Sequence, residues 1–133
     1  MIIRLPKDED KHVSDTYDIA RIMQKILFRN NKISRAKEYF WSIGFDKQNN
    51  IAYIELVTIG IANRNIIRPP QLFRMAIAKD CDEIVLCHNH PSGDPKPSKA
   101  DIEFTNSMIK AGGLLDIVVR EHIILGQDSF EVI

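Results

Sequence analysis

The stretch 84–101 of the 133-residue chain reads IVLCHNHPSGDPKPSKAD. Its first four residues are all apolar, which is typical of a strand that is covered on both faces of a sheet. The prolines and the glycine that follow predict a stiff return loop, and Ser98 begins a pattern typical of a helix N-terminus. We therefore expect a central strand that leads through this loop into a crossover helix.

Downstream of this stretch, the sequence predicts the second half of a βαβ unit. The helix is predicted from about Lys99 to Lys110 and should end at Gly112-Gly113, a pair suited to a left-handed C-cap. Residues 115–120 and 122–125 are predicted to form further strands. A last short strand is predicted over 130–133.

Upstream, apolar residues recur at helical spacing over 19–27, behind the candidate N-caps Ser14 and Asp15. Aromatic and β-branched residues over 39–45 and 51–59, separated by turn-forming residues, predict an antiparallel hairpin.

Pro69-Pro70 predicts the start of a short helix. The first 13 residues are mostly polar and predict a loosely ordered arm, which leaves one domain over 14–133. Strands and helices in this order indicate a single-domain α/β fold, with a mixed sheet flanked by helices.

The composition excludes several classes of protein. Eighteen Lys and Arg balance eighteen Asp and Glu, so the chain as a whole offers no strong electrostatic attraction to nucleic acid. No apolar run reaches the roughly 18–20 residues of a membrane span, and no secretory signal is visible. Two cysteines, Cys81 and Cys87, are too few for a disulfide scaffold, so we expect a cytoplasmic protein.

Three side chains in the quoted stretch suggest a metal site. His88 and His90 are two residues apart on an extended chain, so both imidazoles can point to the same ion. The return loop can bring Asp101, in the first helical turn, back to the carboxyl end of the strand. Two imidazoles and one carboxylate leave a fourth position for water, as in catalytic zinc sites.

Each of these residues also has a structural interpretation. Ser98 and Asp101 fit a capping box, in which both residues satisfy backbone amides at the start of the helix. A His-x-His pair alone is more often a surface pair than a metal site. The combination of both histidines at a strand's carboxyl end with an acid from the next helix favours metal binding.

The spacing of His-x-His, seven residues, Ser, two residues and Asp resembles the signature of the JAB1/MPN/JAMM metalloproteases. The longer segment HNHPSGDPKPSKAD is similar to the RadC-like branch, and the resemblance runs from about Arg35 to Gly126. It departs from the usual RadC-like pattern at Pro69-Pro70-Gln71 and at Glu121-His122, and neither departure removes a proposed ligand.

The resemblance implies a JAMM-type α/β fold in which His88, His90 and Asp101 hold a zinc ion. It also implies that Ser98 lies beside the metal water and that an upstream glutamate acts as general acid and base. Glu38 is the best match for that glutamate. The candidates Glu55, Glu83 and Glu121 stay open, because spacing alone does not choose among them.

The implied function is hydrolysis of a peptide or isopeptide bond by a zinc metallopeptidase, in a context of DNA repair and on an unidentified protein or peptide substrate. The alternative is a non-catalytic adaptor in repair or recombination whose metal braces the fold.

A zinc nucleobase deaminase does not fit, because its His-x-Glu and Pro-Cys-x-x-Cys motifs are absent. His122 fits a packed, hydrogen-bonded histidine better than one that lies behind a metal ligand or one that faces substrate. The sequence does not indicate the oligomeric state.

Overall fold

A computed structural model describes residues 1–60 and 67–133 of the chain. It contains a five-stranded mixed sheet and three α-helices in one α/β domain, as the sequence predicts. A short 3-10 turn, Ser34–Ala36, precedes the first strand. In chain order the main elements are α1 (Thr16–Leu27), β1 (Glu38–Phe45), β2 (Ile51–Gly60), α2 (Pro69–Ala78), β3 (Glu83–Asn89), α3 (Lys99–Leu114), β4 (Val118–Leu125) and β5 (Phe130–Val132).

The strand order is β2-β1-β3-β4-β5, with β3 at the centre. Strands β1 and β2 form the predicted antiparallel hairpin, and β1 is also antiparallel to β3. Strands β3 and β4 are parallel and are joined through α3, which confirms the βαβ unit. The continuously apolar stretch 84–87 lies in β3, where both faces of the sheet are covered.

Alternation along the strands divides the core into two layers. On one face, α1 packs against Trp41, Val85 and other residues of the sheet. On the other face, α2 and α3 pack against Phe40, Leu86 and their neighbours. Because side chains in a strand alternate between faces, His88 lies on the α2 and α3 face together with Leu86.

Helix α1 begins close to the predicted position. Asp15 is the N-cap, and its side chain accepts a hydrogen bond from the backbone N–H of Asp18 at 3.1 Å. None of the helices within 1–60 and 67–133 has both the length and the apolar character that a membrane span requires.

Two boundaries near the end of the chain differ from the prediction. Helix α3 continues through Gly112-Gly113 to Leu114, and the residue with a left-handed backbone is Asp116, at φ 57°. Gly112 is needed for close packing, because a Cβ there would lie 2.5 Å from the carbonyl oxygen of Ile117. Residues 118–125 form one strand instead of two, with a register shift opposite Ile84 and Val85.

The arm 1–13 makes specific contacts with the domain. Ile2 forms a β-bridge with Glu55 of β2, and the backbone N–H of Ile3 donates to the carbonyl of Ile54 at 2.8 Å. The Glu9 carboxylate pairs with Arg21 at 2.8 Å and with Lys25 at 2.7 Å, both on α1. These contacts are more extensive than the sequence suggests, and how loosely the arm is held stays a prediction.

The two adjacent glycines of α3 provide a test of the close packing at its end. Gly112→Ala should lower the free energy of unfolding by about 1–3 kcal/mol, because the added methyl group meets the Ile117 carbonyl. Gly113→Ala should leave stability unchanged or raise it by up to about 1 kcal/mol, since nothing lies within 4 Å of its Cβ position and alanine favours helix. Urea denaturation measures both. Equal effects of the two substitutions would contradict the packing.

The Glu9 ion pairs provide a test of the arm. Hydrogen bonds from Arg21 and Lys25 lower the pKa of Glu9 from 4.5 to about 2. A carboxyl group with a lowered pKa stabilises the folded state above its ordinary pKa, and this stabilisation is lost as the pH falls towards the folded value. Glu9→Gln should therefore be less stable than wild type at about pH 7, and the difference should shrink progressively below about pH 4.5.

Denaturation midpoints of wild type, Glu9→Gln and the exposed neighbour variant Asp8→Asn measure this effect. The Asp8 variant should follow wild type at every pH. If Glu9→Gln also follows wild type at neutral pH, the arm is held as loosely as the sequence suggests.

Candidate metal centre

His88 lies near the carboxyl end of the central strand β3 and is fully buried. It is opposite Phe40 of β1 in the sheet register. The two rings are nearly parallel, with centroids 5.7 Å apart and 7° between their planes. This packing restricts the His88 ring on one side and leaves its edge to face α3.

His90 is the first residue after β3, and its backbone N–H donates to the carbonyl of Leu125 at 2.9 Å. Its Nδ1 lies 2.9 Å from the carbonyl oxygen of Asp94 in the return loop. A carbonyl oxygen can only accept a hydrogen bond, so Nδ1 carries the proton. The other ring nitrogen, Nε2, points towards Asp101 Oδ2 at 3.0 Å, where it can donate a proton to the carboxylate or, once that proton is lost, offer its lone pair to a metal ion.

Asp101 is the third residue of α3 and is only 2% exposed. Its backbone N–H donates to Ser98 Oγ at 3.1 Å, and its Oδ2 accepts from the Ser98 N–H at 2.9 Å, which is the predicted capping box. The same carboxylate also reaches both histidines, with His88 Nε2 3.3 Å from Oδ1 and His90 Nε2 3.0 Å from Oδ2. Capping and ligand geometry thus occur together in one carboxylate.

Several neighbours determine the charge state of Asp101. Burial alone raises the pKa of this carboxyl group. Hydrogen bonds with His88 and with the Ser98 backbone amide, together with the charge that His88 can carry, outweigh burial and hold the pKa well below its usual range. Asp101 is therefore an anion at neutral pH and can bind a cation.

The three side chains form a group that could hold one metal ion. One ligand atom from each of His88, His90 and Asp101 lies within 4.8 Å of the other two. A tetrahedral zinc ion with ligand bonds of about 2.0–2.2 Å separates its ligand atoms by about 3.3–3.5 Å. The distances of 3.3 Å from His88 to Oδ1 and of 3.0 Å from His90 to Oδ2 are of the same size, and the residue types are those that bind zinc, so the three side chains fit such an ion.

The four glutamates that the sequence left open occupy different places. Glu38 is the first residue of β1, buried at 6% exposure, and lies two residues before Phe40, which pairs with His88. Side chains two apart share a face, so Glu38 is on the face of His88 and at the end of the sheet where His90 follows.

The other three glutamates lie away from this end or are engaged elsewhere. Glu55 pairs with Arg74 of α2 at 3.2 Å. The two carboxylate oxygens of Glu121 share the proton of the Thr16 hydroxyl, at 2.8 and 2.9 Å. Glu83 begins β3 at its opposite end. Of the four, Glu38 lies at the end of the sheet where His90 follows, and its catalytic role stays a prediction.

Asn89, between the two histidines, has a role that sequence reasoning missed. Its Oδ1 accepts from the backbone N–H of Tyr39 at 2.7 Å, and its Nδ2 donates to the carbonyl of Lys37 at 3.1 Å. These two backbone groups flank Glu38. The Asn89 amide therefore fixes the backbone of β1 on both sides of Glu38.

His122 of β4 and Thr105 of α3 complete the surroundings of His88. His122 is fully buried, and its Nε2 lies 2.7 Å from His88 Nδ1. His122 is therefore packed and hydrogen-bonded, as predicted, and it also lies directly behind a candidate ligand, which the sequence favoured less. Thr105 is the threonine of an Asp-Ile-x-x-Thr pattern shared with RadC-like proteins, but its role could not be predicted, because only the fold places it against His122, at 2.6 Å.

The comparison with protein families is consistent with this geometry. The model of the RadC-like JAB domain matches residues 13–132 of the chain. The chain belongs to the RadC-like JAB family. Curated relatives of the chain are named UPF0758 proteins.

Three of these relatives show the extent of the similarity. The UPF0758 protein of Methanococcoides burtonii is 33% identical over 125 residues, which is 94% of this chain and 51% of the relative. That of Caldanaerobacter subterraneus is 42% identical over 91 residues, covering 68% and 39% of the two chains. That of Desulforudis audaxviator is 39% identical over 94 residues, covering 71% and 41%. The chain spans about half the length of these relatives or less.

The hydrogen bonds of Asn89 predict that even a substitution of nearly the same shape lowers the stability of the domain. Asn89→Asp keeps an acceptor for Tyr39 but replaces the donor to the Lys37 carbonyl with an oxygen, so it should lower the free energy of unfolding by about 1–3 kcal/mol at neutral pH. Chemical denaturation measures the change. Asn31→Asp is the control: Asn31 is exposed and accepts one backbone bond, from Ser34, which an aspartate can also accept. Similar costs for the two variants would contradict the assigned contacts.

Proposed function

We propose that this RadC-like JAB domain is a zinc-dependent hydrolase that cleaves peptide or isopeptide bonds with an activated water molecule. The proposal is supported mainly by the metal-binding geometry of His88, His90 and Asp101 at the carboxyl end of the central strand. Three protein ligands leave one position of a tetrahedral zinc ion open, as in catalytic sites. A structural zinc site normally has four protein ligands.

A bound zinc ion supplies a Lewis acid that lowers the pKa of coordinated water from about 15.7 towards 7. Glu38 is the residue of this chain that would move the proton. Its carboxylate would accept a proton from the attacking water and then transfer it to the nitrogen of the leaving amine. General acid and base catalysis of this kind typically contributes about 10²–10⁴ in rate.

Ser98 would stabilise the charge that develops on the carbonyl oxygen of the substrate. Its Oγ accepts a hydrogen bond from the backbone N–H of Asp101, which leaves the hydroxyl proton to be donated elsewhere. Ser98 is exposed, while Asp101 behind it is buried. A substrate carbonyl that enters from solvent would thus meet the serine hydroxyl next to the metal ligands.

The substrate is proposed only by class. A peptide or isopeptide bond suits a site with one general base and one hydroxyl donor. The zero net charge argues against strong nucleic-acid binding by this domain. A cytoplasmic protein or peptide substrate, and any context of DNA repair, belong to the proposal and need separate tests.

The proposed reaction is tested with zinc-loaded protein and a panel of fluorogenic peptides and isopeptide-linked substrates. Wild type should turn over at least one substrate class, and a chelator should abolish this activity until zinc is returned. Glu38→Gln should bind zinc as wild type does but lose about 10²–10⁴ in kcat, because it cannot accept the proton.

Glu55→Gln is the matched control, since Glu55 is also a buried glutamate of the same sheet but is paired with Arg74. It should keep kcat within a few-fold of wild type. Turnover that survives chelation or the Glu38 substitution would refute the mechanism. Stoichiometric zinc binding without turnover of any substrate would favour the non-catalytic adaptor.

A further inference from the structure

A continuous chain of hydrogen bonds connects two of the three candidate ligands behind the metal site. His88 Nδ1 lies 2.7 Å from His122 Nε2, and His122 Nδ1 lies 2.6 Å from Thr105 Oγ1. Thr105 Oγ1 lies 2.7 Å from the backbone carbonyl oxygen of Asp101. These hydrogen bonds therefore connect the ring of His88 to the backbone carbonyl of Asp101.

The carbonyl end determines the direction of every bond in this chain. A carbonyl oxygen has no proton, so the Thr105 hydroxyl must donate its single proton to Asp101. Thr105 Oγ1 then accepts from His122, which places a proton on His122 Nδ1. The Nε2 atom of a neutral His122 is consequently an acceptor, and His88 Nδ1 must be the donor.

The opposite direction is disfavoured by the same distances. It would require the Thr105 hydroxyl to donate to His122, and two oxygen acceptors would then face each other at 2.7 Å. Both histidines and Thr105 are buried, with at most 2% exposure, so bulk water does not compensate for a missing proton. Donation in the direction from His88 through His122 and Thr105 to the Asp101 carbonyl is therefore the arrangement in which each of the three hydrogen bonds has one donor and one acceptor.

We infer that His122 and Thr105 are positioning residues that hold a proton on Nδ1 of His88 and so leave Nε2, the nitrogen that faces Asp101, as the one that binds the metal ion. This inference rests on the proposed zinc site and does not depend on hydrolysis. His90 achieves the same orientation with a backbone carbonyl, that of Asp94. The partner of His88 is His122, whose Nε2 can donate or accept a hydrogen bond. The contact of His122 with Thr105 makes that Nε2 an acceptor.

The inference is tested by exchanging the Thr105 side chain. Thr105→Val keeps the shape but removes the hydroxyl, so the proton on His122 Nδ1 loses its acceptor. His122 should then carry its proton on Nε2, and His88 should accept at Nδ1 and carry a proton on Nε2. Zinc affinity should fall about 10–100-fold, the usual cost of removing a partner of a ligand. Thr105→Ser keeps the hydroxyl and should restore near-wild-type affinity.

Two readouts are needed: zinc affinity by competition with a chromophoric chelator, and imidazole tautomers by long-range proton–nitrogen NMR on metal-free and zinc-loaded protein. Wild type and Thr105→Ser should show a proton on His88 Nδ1 in both forms, and Thr105→Val should lose it in the metal-free form. A His88 with the same tautomer in wild type and Thr105→Val would overturn the inference. So would a serine variant that binds zinc as weakly as the valine variant, because the methyl group would then be responsible.

The NMR readout separates failure of this inference from failure of the proposed function. If wild type binds no zinc, the metal site is wrong, yet the metal-free spectra still support or overturn the hydrogen-bond direction. If wild type binds zinc and hydrolyses nothing, the positioning role is still decided by the affinities of the valine and serine variants.

Discussion

A carboxylate buried at the N-terminus of α3 is the group on which the rest of the site depends. Asp101 is 2% exposed, and a buried carboxylate is costly unless it is paired and hydrogen-bonded. The protein satisfies it with the Ser98 amide, the imidazoles of His88 and His90, and the favourable end of the helix dipole. The return loop, the start of α3 and the end of β3 are therefore all fixed by contacts to one side chain.

The central position of β3 explains how more distant residues reach the same place. Because β3 pairs with β1 on one side and β4 on the other, residues of both neighbouring strands lie beside its carboxyl end. The Asn89 amide holds the backbone of β1 on either side of Glu38, and β4 places His122 behind His88. A binding site at the carboxyl end of a strand in an α/β sheet is the arrangement that this topology favours.

Local sequence patterns predicted most of the fold and the three candidate ligands. The apolar stretch before His88 identified the central strand, and the spacing from His90 to Ser98 and Asp101 identified both the capping box and the ligand set. These features depend on residues close together in the chain, where periodicity and capping rules apply.

Features that depend on distant residues could not be predicted in this way. The Gly112-Gly113 pair indicated the end of a helix, but the contact of Gly112 with Ile117 lets α3 continue. The partners of Asn89 and the position of Thr105 behind His122 follow from strand register and helix packing, which no local pattern encodes.

The most direct test of the account is the location of zinc in crystals of the wild-type protein, from anomalous diffraction recorded on both sides of the zinc absorption edge. The proposed site predicts one peak, about 2.0–2.2 Å from Nε2 of His88, Nε2 of His90 and a carboxylate oxygen of Asp101. A zinc-soaked crystal with no peak there, in which His90 is still hydrogen-bonded to Asp101, would contradict it.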